Sequence, residues 1–116
     1  YNGSAYVGIT ENWNGTNWTE VGDMSRPNRY SFTGDSGSST AGLAFGGYSP
    51  GVAAFTEDWN GVSWAEVGDL NTARGYLMGS GTATASLAVA GTPDGSNNTA
   101  ATEEWVGSTN VTRTLT

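Results

Sequence analysis

The chain has 116 residues, including 18 Gly and 5 Trp, with 13% charged residues and a net charge of −7 from 11 acidic against 4 basic side chains. Abundant strand-forming aromatics and low charge argue against disorder, the shortage of cations against a nucleic-acid or anionic-membrane partner, and the lack of a long apolar run against membrane insertion. With no Cys and no His, disulfides, thiolate or imidazole metal sites, cysteine nucleophiles and Ser-His-Asp triads cannot be built within it.

In chain order, alternation and turn residues predict strands over Ala5–Trp13 and Trp18–Met24 on either side of Asn14-Gly15. Asn-Gly is the preferred centre of a type I′ hairpin turn, because both residues tolerate positive φ. Strands over Tyr30–Phe32 and Ala41–Gly47 follow, with Asp35-Ser36-Gly37-Ser38 between them as a loop. The next pair is Ala53–Trp59 and Trp64–Leu70 around Asn60-Gly61, followed by the connector Asn71-Thr72-Ala73-Arg74. Tyr76–Gly79 and Ser86–Gly91 come next, then a loop at Pro93-Asp94-Gly95-Ser96-Asn97, then Ala100–Trp105 and Val111–Leu115.

These elements repeat. Thr10-Glu11-Asn12-Trp13-Asn14-Gly15, Thr56-Glu57-Asp58-Trp59-Asn60-Gly61 and Thr102-Glu103-Glu104-Trp105-Val106-Gly107 stand 46 residues apart (13 to 59, then 59 to 105). Length changes between the units compensate each other, as loops allow and strands do not. Four short antiparallel strands per unit at this period mark the blade of a β-propeller. The expected architecture is all-β, with about two and a half blades: a partial blade of two strands over 1–24, a full blade over 25–70, and a full or degenerate blade over 71–116. A propeller closes with about four to eight blades. Further blades are therefore expected, from the same chain or from copies of itself; the start at Tyr1 without Met fits a window on a longer array.

Gly46-Gly47 after an apolar strand, Trp59, Trp64, Glu66-Val67 and the connector ending at Arg74 together resemble the kelch repeat. The likeness covers nearly the whole chain. It departs at Ala90-Gly91 for the second diglycine, at Asn110 for the second Trp of the third copy, and at Asn28 for the connector arginine of the first. Asn-Gly-rich acidic units of this kind look like those of phage and environmental surface proteins. The resemblance implies a propeller used as a binding scaffold, chiefly for proteins. The copper site of kelch-type oxidases needs Cys and His, which this chain lacks.

Candidate ligand-binding residues are Trp13, Trp18, Trp59, Trp64 and Trp105, with Glu57, Glu103 and Arg74. Flat indoles suit pyranose faces, but indoles recurring with the period also suit packing between blades. Glu57-Asp58 and Glu103-Glu104 offer carboxylates, yet neighbours in a strand point to opposite faces, a poor arrangement for paired acid–base work. Arg26, Arg29 and Arg74 fall in connectors, where a guanidinium can bond backbone carbonyls. The Asp94 loop lacks the ligand spacing of a calcium site. Gly34-Asp35-Ser36-Gly37 has no histidine base to activate its serine and reads as a turn. Five sequons, at Asn2, Asn14, Asn17, Asn97 and Asn110, matter only in a eukaryotic secretory setting.

The residues therefore point to a non-enzymatic module with no catalytic residue, metal or cofactor. The expected partner is a protein or surface glycan, and the expected location is extracellular or on a virion surface such as a phage tail or fibre. The alternatives are a lectin-like, glycan-binding propeller, or blades that assemble between chains into a ring or filament.

Overall fold

The computed structural model describes residues 3–5, 7–26, 34–48, 51–94, 96–106 and 112–115. Among them are ten strands and no helix. The strands are β1 (Glu11–Trp13), β2 (Trp18–Glu20), β3 (Gly34–Gly37), β4 (Gly42–Phe45), β5 (Thr56–Trp59), β6 (Trp64–Val67), β7 (Met78–Thr82), β8 (Ala85–Val89), β9 (Thr102–Val106) and β10 (Thr112–Leu115). They form one two-stranded sheet, β1-β2, and two four-stranded sheets, β3-β4-β5-β6 and β7-β8-β9-β10. Every pairing is antiparallel between chain neighbours. Antiparallel chain neighbours need no crossover connection between them.

The two larger sheets approach each other most closely through their first strands, β3 and β7. Both strands are rich in Gly and Ser, which lets two backbones come near. The core lies between these sheets. Leu43 and Phe45 of β4 face Ala88 of β8 and Trp105 of β9, with Leu70 and Leu77 closing the space. Alternation explains the sharing of faces: Leu43 and Phe45 are opposite Asp58 and Thr56 in register, whereas Glu57 and Trp59 lie on the other face with Ala44 and Gly42.

Two local expectations are corrected. Gly34-Asp35-Ser36-Gly37, expected as loop and turn, is strand β3, paired residue by residue with β4 from Gly34↔Phe45 to Gly37↔Gly42. Its composition favours turns, but a four-residue ladder to an apolar strand overrides that preference. The strand expected over Tyr30–Phe32 lies outside the described residues. The Asn-Gly hairpins also differ from type I′. Positive φ is found at Gly15 and Gly61 but at neither Asn14 nor Asn60. Instead Asn14 Oδ1 accepts the N–H groups of Thr16 and Asn17, each at 2.8 Å. Asn60 Oδ1 accepts those of Val62 and Ser63, each at 2.9 Å. The asparagine acts through its side chain, as in an Asx turn.

The two-residue length change falls in the turn after β3. Ser38–Ala41 joins β3 to β4, but only Ala83-Thr84 joins β7 to β8. The segment between β8 and β9, which contains Asp94, is correspondingly longer than that between β4 and β5.

Candidate functional site

Two of the three repeated glutamates, Glu57 and Glu103, point into the fold, whereas Glu11 is exposed. Glu57 is 0% and Glu103 2% exposed. Glu57 Oε1 accepts the backbone N–H of Ser25 at 2.6 Å. Glu103 Oε1 accepts that of Asn71 at 2.5 Å, and Oε2 that of Thr72 at 3.3 Å. Ser25 and Asn71 are themselves one period apart. Each glutamate thus holds the connector that leads into its own sheet. A carboxylate that accepts backbone N–H groups gives a charge-assisted partner to connector donors that lie outside the strand ladders.

Arg74 extends this network. It is 0% exposed. Its Nη1 donates to Ala90 O at 2.7 Å and to Ala101 O at 2.8 Å, and its Nη2 to Glu103 Oε2 at 2.9 Å. One guanidinium therefore ties the end of β8, the approach to β9 and the connector together. A buried ion pair of this kind adds little net stability over an apolar packing, but removing one partner strands a charge. Arg26, in the preceding connector, sits differently. It pairs with Glu66 at the surface and lies 4.0 Å over the Phe55 ring.

The indoles divide into three groups. Trp59 and Trp105 are buried, and each donates from Nε1 to a hairpin-turn carbonyl: Ser39 O at 3.0 Å and Ala83 O at 2.9 Å. Trp64 is half-buried. Its ring lies 5.3 Å from that of Trp59 at 44°, and its Nε1 donates to Thr10 Oγ1 at 2.8 Å. Trp13 and Trp18 form the same tilted pair, at 5.4 Å and 45°, but remain 49% and 63% exposed.

Between the two-stranded sheet and β3-β4-β5-β6 lies a cavity of about 540 Å³. Glu11, Asn12, Ser38, Gly42, Trp59 and Trp64 are among its walls. Glu11 is the one carboxylate among its described walls. A second cavity of about 340 Å³ lies beside Trp105, Leu87 and Glu104. No group of three or more metal-ligating side chains occurs among the described residues. Asp94 serves its own loop. Its carboxylate accepts the N–H groups of Ser96 and Asn97 and the Asn97 side-chain amide, and those bonds from Asn97 and Ser96 lower its pKa to about 2.

The structure thus brings Trp59 and Trp64 to the larger cavity and Trp105 to the smaller. It leaves Trp13 and Trp18 on the surface and turns Glu57, Glu103 and Arg74 inward. Sequence reasoning missed Thr10 as the acceptor for Trp64. Its place at the head of every Thr-Glu-x-Trp motif was the available signal.

Fold and site together define an all-β protein of repeated antiparallel sheets in which Glu57, Glu103 and Arg74 are buried. A solved structure described as "Structure of YjhT" shares this fold, with a TM-score of 0.70 and 15% identity over 91% of this chain. At that identity the likeness is one of fold alone, and this chain spans 37% of the YjhT chain. Compared with protein-family models and with curated proteins, the sequence matches none.

Proposed function

We propose that the chain is a segment of a kelch-like β-propeller that serves as a non-catalytic binding or structural scaffold. Its partner is a protein or surface glycan, at a cell or virion surface. The observation that carries this reading is the burial of Glu57, Glu103 and Arg74, each at most 2% exposed and bonded to backbone or to one another. The repeating groups with the strongest chemistry hold connectors in place, which leaves loops and exposed indoles for contact. The meeting of β3 and β7 supports the radial arrangement of blades. A glycan-binding reading draws on the open Trp13–Trp18 pair.

The test is a glycan and protein-partner binding screen run beside a hydrolase and lyase panel. Binding without turnover, weakened by W18A, is the expected result. Turnover of any substrate that E57Q abolishes while the fold persists would overturn the proposal.

A further inference from the structure

The β5-β6 and β1-β2 hairpins turn through Asn60-Gly61 and Asn14-Gly15, and all four of these residues are exposed. Three features of the turns concern reactivity rather than packing. The first is an electrophile. Asn60 Oδ1 accepts the N–H groups of Val62 and Ser63, each at 2.9 Å, and Asn14 Oδ1 those of Thr16 and Asn17, each at 2.8 Å. Two N–H donors on one carbonyl oxygen draw electrons from its carbon and stabilise negative charge that develops on the oxygen. The bond from the residue two places on also closes a ring that contains the glycine nitrogen, so each carboxamide is folded back over the peptide that follows it.

The second is a nucleophile. Among the described residues, the N–H groups of Gly15 and Gly61 have no hydrogen-bond acceptor. Neither glycine has a Cβ to crowd the approach of its nitrogen. The third is a leaving group, since Nδ2 of Asn14 and of Asn60 donates to no described group.

Other asparagines fail on at least one count. Asn71 is also exposed, but the N–H of Thr72 after it is occupied by Glu103 Oε2 at 3.3 Å. Asn97 Nδ2 is held by Asp94 Oδ2 at 2.8 Å, and the residue after it is Asn98 rather than a glycine. In the remaining Asn-Gly pair, Asn2-Gly3, Asn2 lies outside the described residues.

We propose that Asn60-Gly61 and Asn14-Gly15 are sites of spontaneous modification, at which asparagine becomes aspartate or isoaspartate through a cyclic imide. The Gly61 nitrogen gives its proton to hydroxide or buffer base and bonds to Asn60 Cγ. The Cγ–Nδ2 bond breaks, and Nδ2 takes up a proton and leaves as ammonia. Water then opens the imide. Opening at Cγ gives aspartate, whose carboxylate remains an acceptor for the N–H groups of the turn. Opening at the main-chain carbonyl gives isoaspartate, and the backbone then runs through Cβ and Cγ with one carbon more. Each conversion adds a negative charge at a hairpin tip, on a chain whose net charge begins at −7. The inference goes beyond the scaffold reading and stands on the turn geometry alone.

The test is peptide mapping by mass spectrometry of the whole chain, aged in mildly alkaline buffer either folded or in urea. Isoaspartate is counted by enzymatic methylation. The expected result is conversion of Asn14 and Asn60 in the folded chain at a rate within about fivefold of that in urea, with both products present. At Asn71 folding should slow conversion by more than about tenfold, because the nucleophile after it is bonded. The variant Asn60→Asp should show no further mass gain at that site and should co-elute on anion exchange with a species that grows in the aged chain. Conversion at Asn14 and Asn60 slowed more than about fivefold by folding would overturn the proposal, because the turns would then protect their asparagines rather than expose them. Equal rates for Asn71 in the folded and unfolded chain would overturn it too, since a free glycine N–H would then decide nothing.

Discussion

Ala90 occupies a backbone position that suits glycine. Its φ is +58° and that of Gly91 is +96°, matching +72° at Gly46 and +95° at Gly47. Both pairs end an apolar strand, and both turn by the same route: Gly46 N–H donates to Phe55 O at 3.0 Å, and Ala90 N–H to Ala101 O at 2.9 Å. An L-residue in the left-handed region costs about 1–2 kcal/mol. Glycine removes that strain but adds unfolded-state entropy, at about 0.5–1 kcal/mol. The Ala90 carbonyl keeps its bond from Arg74 in either case, because it is a main-chain group. Ala90→Gly should therefore stabilise the chain by about 0.5–1 kcal/mol, and raise its melting temperature by about 2–4 °C. Thermal and urea unfolding followed by circular dichroism measure it. The reverse change, Gly46→Ala, should destabilise, since a Cβ there would lie 2.6 Å from Arg74 O and 2.7 Å from Leu77 Cδ2. A neutral or destabilising Ala90→Gly would refute the strain argument.

Other predictions use the repeat as its own control. Glu103→Gln should cost about 3–5 kcal/mol by urea unfolding, because it leaves the Arg74 guanidinium buried without a counter-charge. Glu66→Gln breaks an exposed pair with Arg26 and should cost less than about 1 kcal/mol. Trp64→Ala should destabilise more than Trp18→Ala by at least about 1 kcal/mol, since Trp64 alone has the Thr10 bond and a half-buried ring. The Asp94 carboxyl should titrate near 2 by NMR. Its folded pKa lies below its unfolded value, so its contribution is present above the unfolded pKa and is lost as pH falls through about 2. Asn97→Ala should move that midpoint upward.

Much of the architecture was legible because side-chain periodicity is a local signal. Trp59 and Trp105 mark β5 and β9, and the flanking hairpins follow from Asn14 and Asn60 even though the turn chemistry differs. The first strands were hard to read for a physical reason. Gly34-Asp35-Ser36-Gly37 has the residues of a turn, because β3 runs beside β7 and a backbone there must tolerate close approach. Gly37 and Gly81 add a second reason, within their own hairpins: each has positive φ, and a Cβ would lie 2.3 Å from Ala41 O at one and 2.2 Å from Ala85 O at the other. Composition reads such strands as loops, and only their pairing partners correct the reading. At the candidate site the pairing of Trp13 with Trp18 and of Trp59 with Trp64 was legible from their places across a hairpin. The inward turn of Glu57 and Glu103 was not, because it depends on connector N–H groups 32 residues earlier in the chain.

The central claim is that Glu57 and Glu103 hold the connectors from inside the fold. Amide hydrogen exchange at Ser25, Asn71 and Thr72 tests it most directly, since all three lie outside the strands and would otherwise exchange at loop rates. The account predicts protection at these amides approaching that of β5 and β9, lost at Ser25 in Glu57→Gln. Rapid exchange at Ser25 and Asn71 in the unaltered chain would contradict it.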